Sequence, residues 1–129
     1  MKLLFIFVLL AIASCNKDSK TGQCDAFLTI TSTLTAKTTT QAAGISSVIN
    51  SYGPNLCYTF SHTEVLRKPG NIFEIKSKGK FPCNATICAD ALYQARDSIN
   101  IDVAAPGTYF LKFYHNTSAF FKTDTVQVN

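Results

Sequence analysis

Five cysteines give this 129-residue chain its clearest chemical signal. They stand at Cys15, Cys24, Cys57, Cys83 and Cys88, and an odd number leaves one thiol without a partner in an oxidising compartment. A structural zinc site uses two pairs of closely spaced cysteines, whereas only Cys83 and Cys88 lie close together here. The spacing therefore favours disulfide bonds over zinc, and we expect neither a metal nor another cofactor.

The four cysteines that follow Cys15 can form two disulfides in three different ways. We favour Cys57–Cys88 together with Cys24–Cys83, because Cys24 lies where the folded domain begins and the bond would pin the chain there. A short loop closed by Cys83 and Cys88 is the alternative. A Cys57–Cys88 bond closes a loop of about 30 residues and contributes roughly 3–4 kcal/mol in the chain-entropy model.

Two histidines, His62 and His115, are the candidates for acid–base chemistry near neutral pH. Neither stands in a motif for a nucleophile, a metal or a phosphate loop, and the eight carboxylates are scattered along the chain. The sequence therefore predicts a protein that is not an enzyme. A small exported enzyme or enzyme inhibitor is the alternative, which a polar pocket joining either histidine to a carboxylate would favour.

The N-terminal residues are typical of an export signal. Residues 1–14 hold one lysine followed by an apolar run that is too short for a membrane-spanning helix. The segment Ile12-Ala13-Ser14-Cys15 resembles the bacterial lipobox, in which the cysteine is lipidated and becomes the new N-terminus. Several acyl chains on Cys15 would anchor the protein stably in a membrane and would account for the odd cysteine. An ordinary secretory signal with Cys15 in a disulfide is the alternative.

The domain organisation follows from this signal. We predict a signal peptide over 1–14, a lipidated cysteine with a flexible polar tether over 15–24, and one folded domain over 25–129. The lipid would hold this domain in the cell envelope, at the outer membrane. The chain has 12 lysines and arginines against 8 acidic residues, an excess too small and too scattered to favour a nucleic-acid partner.

Hydrophobic residues recur with a period of two along most of the predicted domain. Leu28, Ile30 and Leu34 alternate with threonines, which is typical of a half-buried strand. Similar alternation occurs in the segments 57–66, 73–81, 99–103, 109–114 and 125–128. The segment 83–96 is the least regular, and a loop is favoured there over a short helix. About seven strands without a convincing helix predict an all-β fold, an antiparallel β-sandwich.

One segment resembles a feature of immunoglobulin-like domains. Pro106-Gly107-Thr108-Tyr109 precedes an alternating strand and resembles the tyrosine corner, in which the phenol hydroxyl bonds back to the backbone. The chain has no tryptophan, which immunoglobulin domains pack on their inter-sheet disulfide, so an antibody-type domain is disfavoured.

A wider resemblance covers roughly residues 25–128. It rests on the segments Gly53-Pro54-Asn55-Leu56-Cys57-Tyr58-Thr59-Phe60, Ile87-Cys88-Ala89-Asp90-Ala91-Leu92, Pro106–Phe113 and Asp124–Val128. Together they resemble small immunoglobulin-like β-sandwich lipoproteins of Bacteroidota-type bacteria, most of which have no assigned function. The resemblance implies a Cys57–Cys88 disulfide and display at the surface or in the periplasm, and it carries no catalytic residue. Cys24 and Cys83 depart from that pattern.

Aromatic side chains offer the best candidate for a binding surface. If Tyr109, Leu111 and Phe113 face the core, then Phe110 and Tyr114 face outward, and Phe120 follows in the next turn. Such a patch beside polar loop residues could hold a protein or a glycan. The alternative is that these rings cover the second face of a central strand beneath a loop.

These observations predict an exported, lipid-anchored protein of the cell envelope that acts as a non-catalytic binding or structural module. Its partners would be the membrane, through the lipid, and a protein or glycan ligand. Besides the small enzyme or inhibitor, a eukaryotic secreted glycoprotein is an alternative, because Asn84-Ala85-Thr86 and Asn116-Thr117-Ser118 are N-glycosylation sequons.

Overall fold

The computed structural model describes residues 22–84 and 87–129. These residues form eight strands and no helix: β1 (Gln23–Thr35), β2 (Thr38–Thr39), β3 (Ile45–Gly53), β4 (Thr59–Lys68), β5 (Ile72–Pro82), β6 (Tyr93–Ile101), β7 (Gly107–Tyr114) and β8 (Phe120–Val128). The prediction of an all-β fold is confirmed. The predicted signal peptide, Cys15 and the tether as far as residue 21 lie outside the described residues.

Strand β5 is the centre of the sheet and pairs along both of its edges. One edge pairs with β4; on the other, the first half of β5 pairs with β7 and the second half with β1. Strand β7 pairs with β8, and β8 pairs with β2. We call β2, β8, β7, β5, β4 and the first half of β1 the first arm. The second half of β1 leaves β5 and pairs with β3, which continues to β6, and we call these the second arm. The sheet therefore forks and curls like half of a barrel.

The antiparallel β-sandwich expected from the sequence is not confirmed, because this sheet is mixed. Strands β5 and β7 pair in parallel, and so do β2 and β8. Turn signals constrain only consecutive strands, such as β4 and β5, whose connection contains Gly70 and Asn71, both with positive φ. Strand β6 lies between β5 and β7 in the sequence. The local residue pattern therefore cannot show whether β7 pairs with β5 in a parallel or an antiparallel direction.

Two boundaries differ from the sequence prediction. The segment 83–96 was expected to be a loop, and residues 87–92 are one, but β6 already begins at Tyr93. Ala95 and Asp97 take the half-buried positions of β6 beside exposed Gln94 and Arg96, so the apolar alternation there is weak. At the other end, β1 begins at Gln23, within the predicted tether 15–24.

The core between the two arms is apolar. Apart from the buried serines Ser47, Ser51 and Ser77, its buried side chains are Leu28, Ile30, Ile45, Ile49, Phe73, Ile75, Ile101, Val103, Tyr109, Leu111, Phe113, Val126 and Val128. Each side chain of this size contributes about 1.5–3 kcal/mol when it is fully buried. The inward sides predicted for β7 and for the end of β8 are confirmed. The Tyr109 hydroxyl donates to the carbonyl oxygen of Ala105 at 2.7 Å, the hydrogen bond that the tyrosine-corner pattern predicts.

A β-bulge at Thr31 lets β1 serve both arms. Ile30 pairs with Ser51 and Ser32 pairs with Asn50, so Thr31 is an extra residue in the ladder. Since side chains alternate with a period of two, one extra residue exchanges the inward and outward positions beyond it. Leu34, which strict alternation places in the core, is therefore 72% exposed.

The same exchange turns two threonines of β1 toward β8. The hydroxyls of Thr33 and Thr35 donate to Oδ2 of Asp124 at 2.8 and 2.7 Å. Lys122 Nζ lies 2.9 Å from Oδ1 of the same carboxylate. Burial alone would raise the pKa of Asp124, but the hydrogen bonds from Lys122, Thr35 and Thr33 outweigh it and hold that pKa below its usual value. We call these four residues the Asp124 cluster.

Side chains also join β4 to β6, on the opposite side of the molecule. Thr63 donates to Oδ2 of Asp97 at 2.6 Å, and the backbone N–H of Phe60 donates to the Tyr93 hydroxyl at 3.0 Å. The two arms are thus connected by polar contacts along both of their open sides.

Both disulfides favoured from the sequence are present, Cys24–Cys83 and Cys57–Cys88. They span 59 and 31 residues, for which the chain-entropy model gives about 4 and about 3.7 kcal/mol. Cys24–Cys83 fixes the start of β1 beside the end of β5. Cys57–Cys88 ties the loop before β4 to the loop before β6, and so links the two arms at the same end of the sheet.

We expect Asp124→Asn to lower the free energy of unfolding by about 1–2 kcal/mol at neutral pH, because the amide keeps one acceptor oxygen for the threonines but loses the negative charge that strengthens these hydrogen bonds and pairs with Lys122. The folded state lowers the pKa of Asp124, so its contribution is complete above the unfolded value near pH 4 and is lost as the pH falls through the folded pKa. Urea unfolding at a series of pH values should show wild type and variant converging in acid.

Asp25→Asn is the matched control. The Lys80 ammonium lowers the pKa of Asp25 as well, but this carboxylate lies on the surface, where solvent screens the ion pair. The substitution should change stability much less than Asp124→Asn. Equal losses in the two variants would contradict the role assigned to the Asp124 cluster.

Candidate functional site

The outward side of the first arm carries a continuous band of aromatic rings and lysines. Along β5 the outward positions alternate with the buried ones and include Lys76 and Lys78. Their partners on the neighbouring strands are Tyr114 at the end of β7 and Phe27 near the start of β1. We call this band the lysine–aromatic face; it consists of Phe27, Lys76, Lys78, Phe110, Lys112, Tyr114 and Phe120.

The three aromatic residues proposed from the sequence all lie on this face. Tyr114 and Phe120 pair across β7 and β8, with ring centroids 5.9 Å apart and the ring planes nearly perpendicular. Phe120 is 54% exposed, and Tyr114 is half-buried. Phe110 is also half-buried and lies four residues before Tyr114 on the same side of β7. The structure thus brings Tyr114 and Phe120 into contact, with Phe110 farther along the same strand.

Two lysines are held directly over aromatic rings. Lys76 Nζ lies 5.6 Å from the centroid of the Tyr114 ring, and Lys78 Nζ lies 4.0 Å from that of Phe27. Such cation–π contacts contribute about 0.5–1 kcal/mol at exposed sites. They favour one position for each ammonium, in a side chain that otherwise samples many rotamers. The rings therefore bias two positive charges toward defined positions on the surface.

Phe27 is the member of the face that sequence reasoning missed. It stands in the first segment of alternation, where attention falls on Leu28 and Ile30 as the inward residues. An outward phenylalanine gives no signal by itself, because isolated exposed apolar residues are common on protein surfaces. Its meaning depends on Lys78, which is 51 positions away in sequence and becomes a neighbour only through the pairing of β1 with β5.

Acidic residues neutralise part of the positive charge on this side of the sheet. Lys80 Nζ lies 2.7 Å from Asp25, and Lys68 Nζ lies 3.7 Å from Glu74. Among the described residues, no carboxylate lies within 4 Å of Lys76, Lys78 or Lys112. Glu64 and Glu74 are the cross-strand neighbours of Lys76 and Lys112, so the excess of positive charge on this side is small and is least compensated at Lys78, which lies opposite Phe27 and His62.

The two histidines lie apart from any catalytic arrangement in the described part of the chain. His62 is exposed on β4, where Nδ1 lies 3.0 Å from the hydroxyl of its neighbour Ser61. His115 packs against Phe121 with ring centroids 4.8 Å apart, and its buried Nδ1 finds no hydrogen-bond partner there. Over residues 22–84 and 87–129, no group of three or more His, Cys, Asp or Glu is placed to hold a metal ion.

Two clefts of the structure are lined by residues outside the lysine–aromatic face. A cleft of about 420 Å³ lies on the outward side of β3 and β6, lined among others by Tyr52, Leu92 and Arg96. A second cleft, also of about 420 Å³, lies over Asp124 and Lys122. Neither cleft is lined by a histidine, so neither joins His62 or His115 to a carboxylate.

We expect Tyr114→Ser and Phe120→Ser to leave the fold intact, with about 1 kcal/mol or less lost in each, because the removed ring is a half-buried or exposed one. Phe113→Ala, one residue before Tyr114 and fully buried, should cost about 3–5 kcal/mol. Thermal or urea unfolding measures both effects. Losses as large in the two surface variants as in Phe113→Ala would show that Tyr114 and Phe120 belong to the core.

In the described residues, no helix has the length and apolar character required to cross a bilayer. Comparison with known protein families, with curated proteins and with solved structures finds no match to this chain.

Proposed function

We propose that this protein is exported, anchored by a lipid on Cys15 in the bacterial cell envelope, and serves as a non-catalytic binding module. The anchor is supported by the lipobox-like segment Ile12-Ala13-Ser14-Cys15. The disulfides add support, because Cys24, Cys57, Cys83 and Cys88 pair with each other and none of them requires Cys15. The resemblance to small immunoglobulin-like lipoproteins, including their sandwich arrangement and outer-membrane location, belongs to the same proposal.

The observation that carries the binding function is the lysine–aromatic face. A large ring such as Phe120 raises the free energy of the protein when it stays in water, and adjoining exposed rings mark an interaction site more than one isolated ring does. Here the rings stand in an ordered band together with lysines that lack a carboxylate within 4 Å among the described residues. A ligand with both apolar and polar groups, such as a protein or a glycan, fits this combination.

Lipidation is tested by expressing the full chain in a Gram-negative host. Wild type should partition with membranes, and mass spectrometry of its N-terminal peptide should show Cys15 as the first residue with a diacylglycerol and a further acyl chain. Cys15→Ser should release the protein, whereas Ser19→Ala, a change of the same kind just beyond the cysteine, should not. An unmodified Ser, Cys or Asn at the mature N-terminus of wild type would refute the anchor.

Binding is tested by immobilising the folded chain and capturing protein or glycan from a solubilised envelope fraction. The double variant Tyr114→Ala with Phe120→Ala should lose the retained material, because it removes the adjoining rings of the face. The control is Leu34→Ala with Leu56→Ala, which removes two exposed apolar side chains, 72% and 51% exposed, that lie off this face. An unchanged profile in the first variant, with its fold intact, would overturn the assignment of the binding surface.

A further inference from the structure

We infer that the lysine–aromatic face binds an acidic polysaccharide, a linear chain of sugars that carries carboxylate groups. This inference rests on the proposed binding function and names its ligand class. It follows from the arrangement of charge, rings and curvature on the outward side of the first arm.

Charge is the first argument. Five lysines point outward from this arm, and three carboxylates accompany them: Lys68, Lys76, Lys78, Lys80 and Lys112 against Asp25, Glu64 and Glu74. Lys68 and Lys80 contact a carboxylate. Glu64 lies opposite Lys76 and Glu74 opposite Lys112 in the strand pairing, neither within 4 Å of that lysine, so the arm keeps an excess of two positive charges. Lys76 and Lys78 lie two positions apart on one strand, about 7 Å along the backbone. Cations that repeat along a strand are complementary to an anion whose charges repeat along a chain.

The rings divide into two kinds of position. Tyr114 and Phe27 lie beneath the ammonium groups of Lys76 and Lys78, so they orient the cations. Phe120 stands nearly perpendicular to Tyr114 and is 54% exposed, which leaves its own ring face accessible. The apolar C–H face of a sugar ring can pack on such an aromatic ring, while its carboxylate reaches a lysine. An acidic sugar supplies both groups in one residue.

Curvature distinguishes this ligand from a membrane surface. The core lies inside the curl of the sheet, so the outward side is convex and a flat bilayer would touch only a narrow strip of it. A flexible linear chain can follow the strand from Lys76 to Lys78 and onward. Single-stranded nucleic acid stacks successive bases on several open ring faces. Here cations lie over Tyr114 and Phe27, so Phe120 is left as the accessible ring beside these two lysines, enough for one sugar ring but not for a run of bases.

The test uses the full chain with Cys15→Ser, so that lipid does not interfere, and titration calorimetry with an oligogalacturonate at low salt. The control ligand is the methyl ester of the same oligosaccharide, which keeps the sugar and removes the charge. We expect binding to the acid that weakens with added salt, and little binding to the ester. Lys76→Gln with Lys78→Gln should weaken binding about tenfold.

The control variant is Lys37→Gln with Arg96→Gln. It also removes two positive charges, but from exposed positions elsewhere, at the turn after β1 and on the outward side of β6. It should bind the oligogalacturonate within about twofold of the parent chain. An equal loss in both variants would mean attraction to net charge alone and would overturn the inference.

The remaining outcomes also separate the two proposals. If neither oligosaccharide binds but Tyr114→Ala with Phe120→Ala still loses its captured envelope material, the ligand class is wrong and the binding surface stands. If that variant captures the same envelope material as wild type, both the ligand class and the binding surface are wrong. Binding of an oligothymidylate or of phosphatidylglycerol vesicles as tight as that of the oligogalacturonate would replace the polysaccharide with that ligand.

Discussion

The structure depends on one strand, β1, pairing with two different partners. Its first half completes the edge of β5 and its second half pairs with β3, so the same 13 residues belong to both arms of the sheet. This division places Ser77 of β5 and Ser51 of β3 close enough to share a hydrogen bond of 2.9 Å inside the core. Because each hydroxyl satisfies the other, the buried polar pair does not incur the cost of a group removed from water without a partner.

The bulge at Thr31 makes this double pairing compatible with one apolar core. Without the extra residue, Leu34 would continue inward toward β8, and Thr33 would point outward. With it, the threonines reach Asp124 and the seam between β1 and β8 becomes polar and hydrogen-bonded. The two disulfides act at the other end, where they hold the start of β1 and the loops before β4 and β6 together. A small chain thus closes its curled sheet with side chains and covalent bonds where strand pairing stops.

The comparison of sequence and structure shows where a period-two pattern is informative. Alternation identified the buried sides of β5, β7 and the end of β8, because these segments are regular and one face of each meets the core. It misplaced Leu34, since a bulge leaves no distinctive residue in this sequence. It missed the first half of β6, where the half-buried positions hold Ala95 and Asp97, and it held no information on the parallel pairing of β5 with β7. The aromatic patch was found in part, because Phe27 joins it only through long-range pairing.

The lysines of β5 do not lie at a free edge of the sheet. A row of lysines on a strand is often explained as protection of a free sheet edge against pairing with another molecule. Strand β5 is paired along both edges, so its backbone needs no such protection. Solvation of the outward face explains charged residues in general, but it does not require that Lys76 and Lys78 each stand over an aromatic ring. These cations beside rings on a central strand are the observation from which we infer a ligand that needs both.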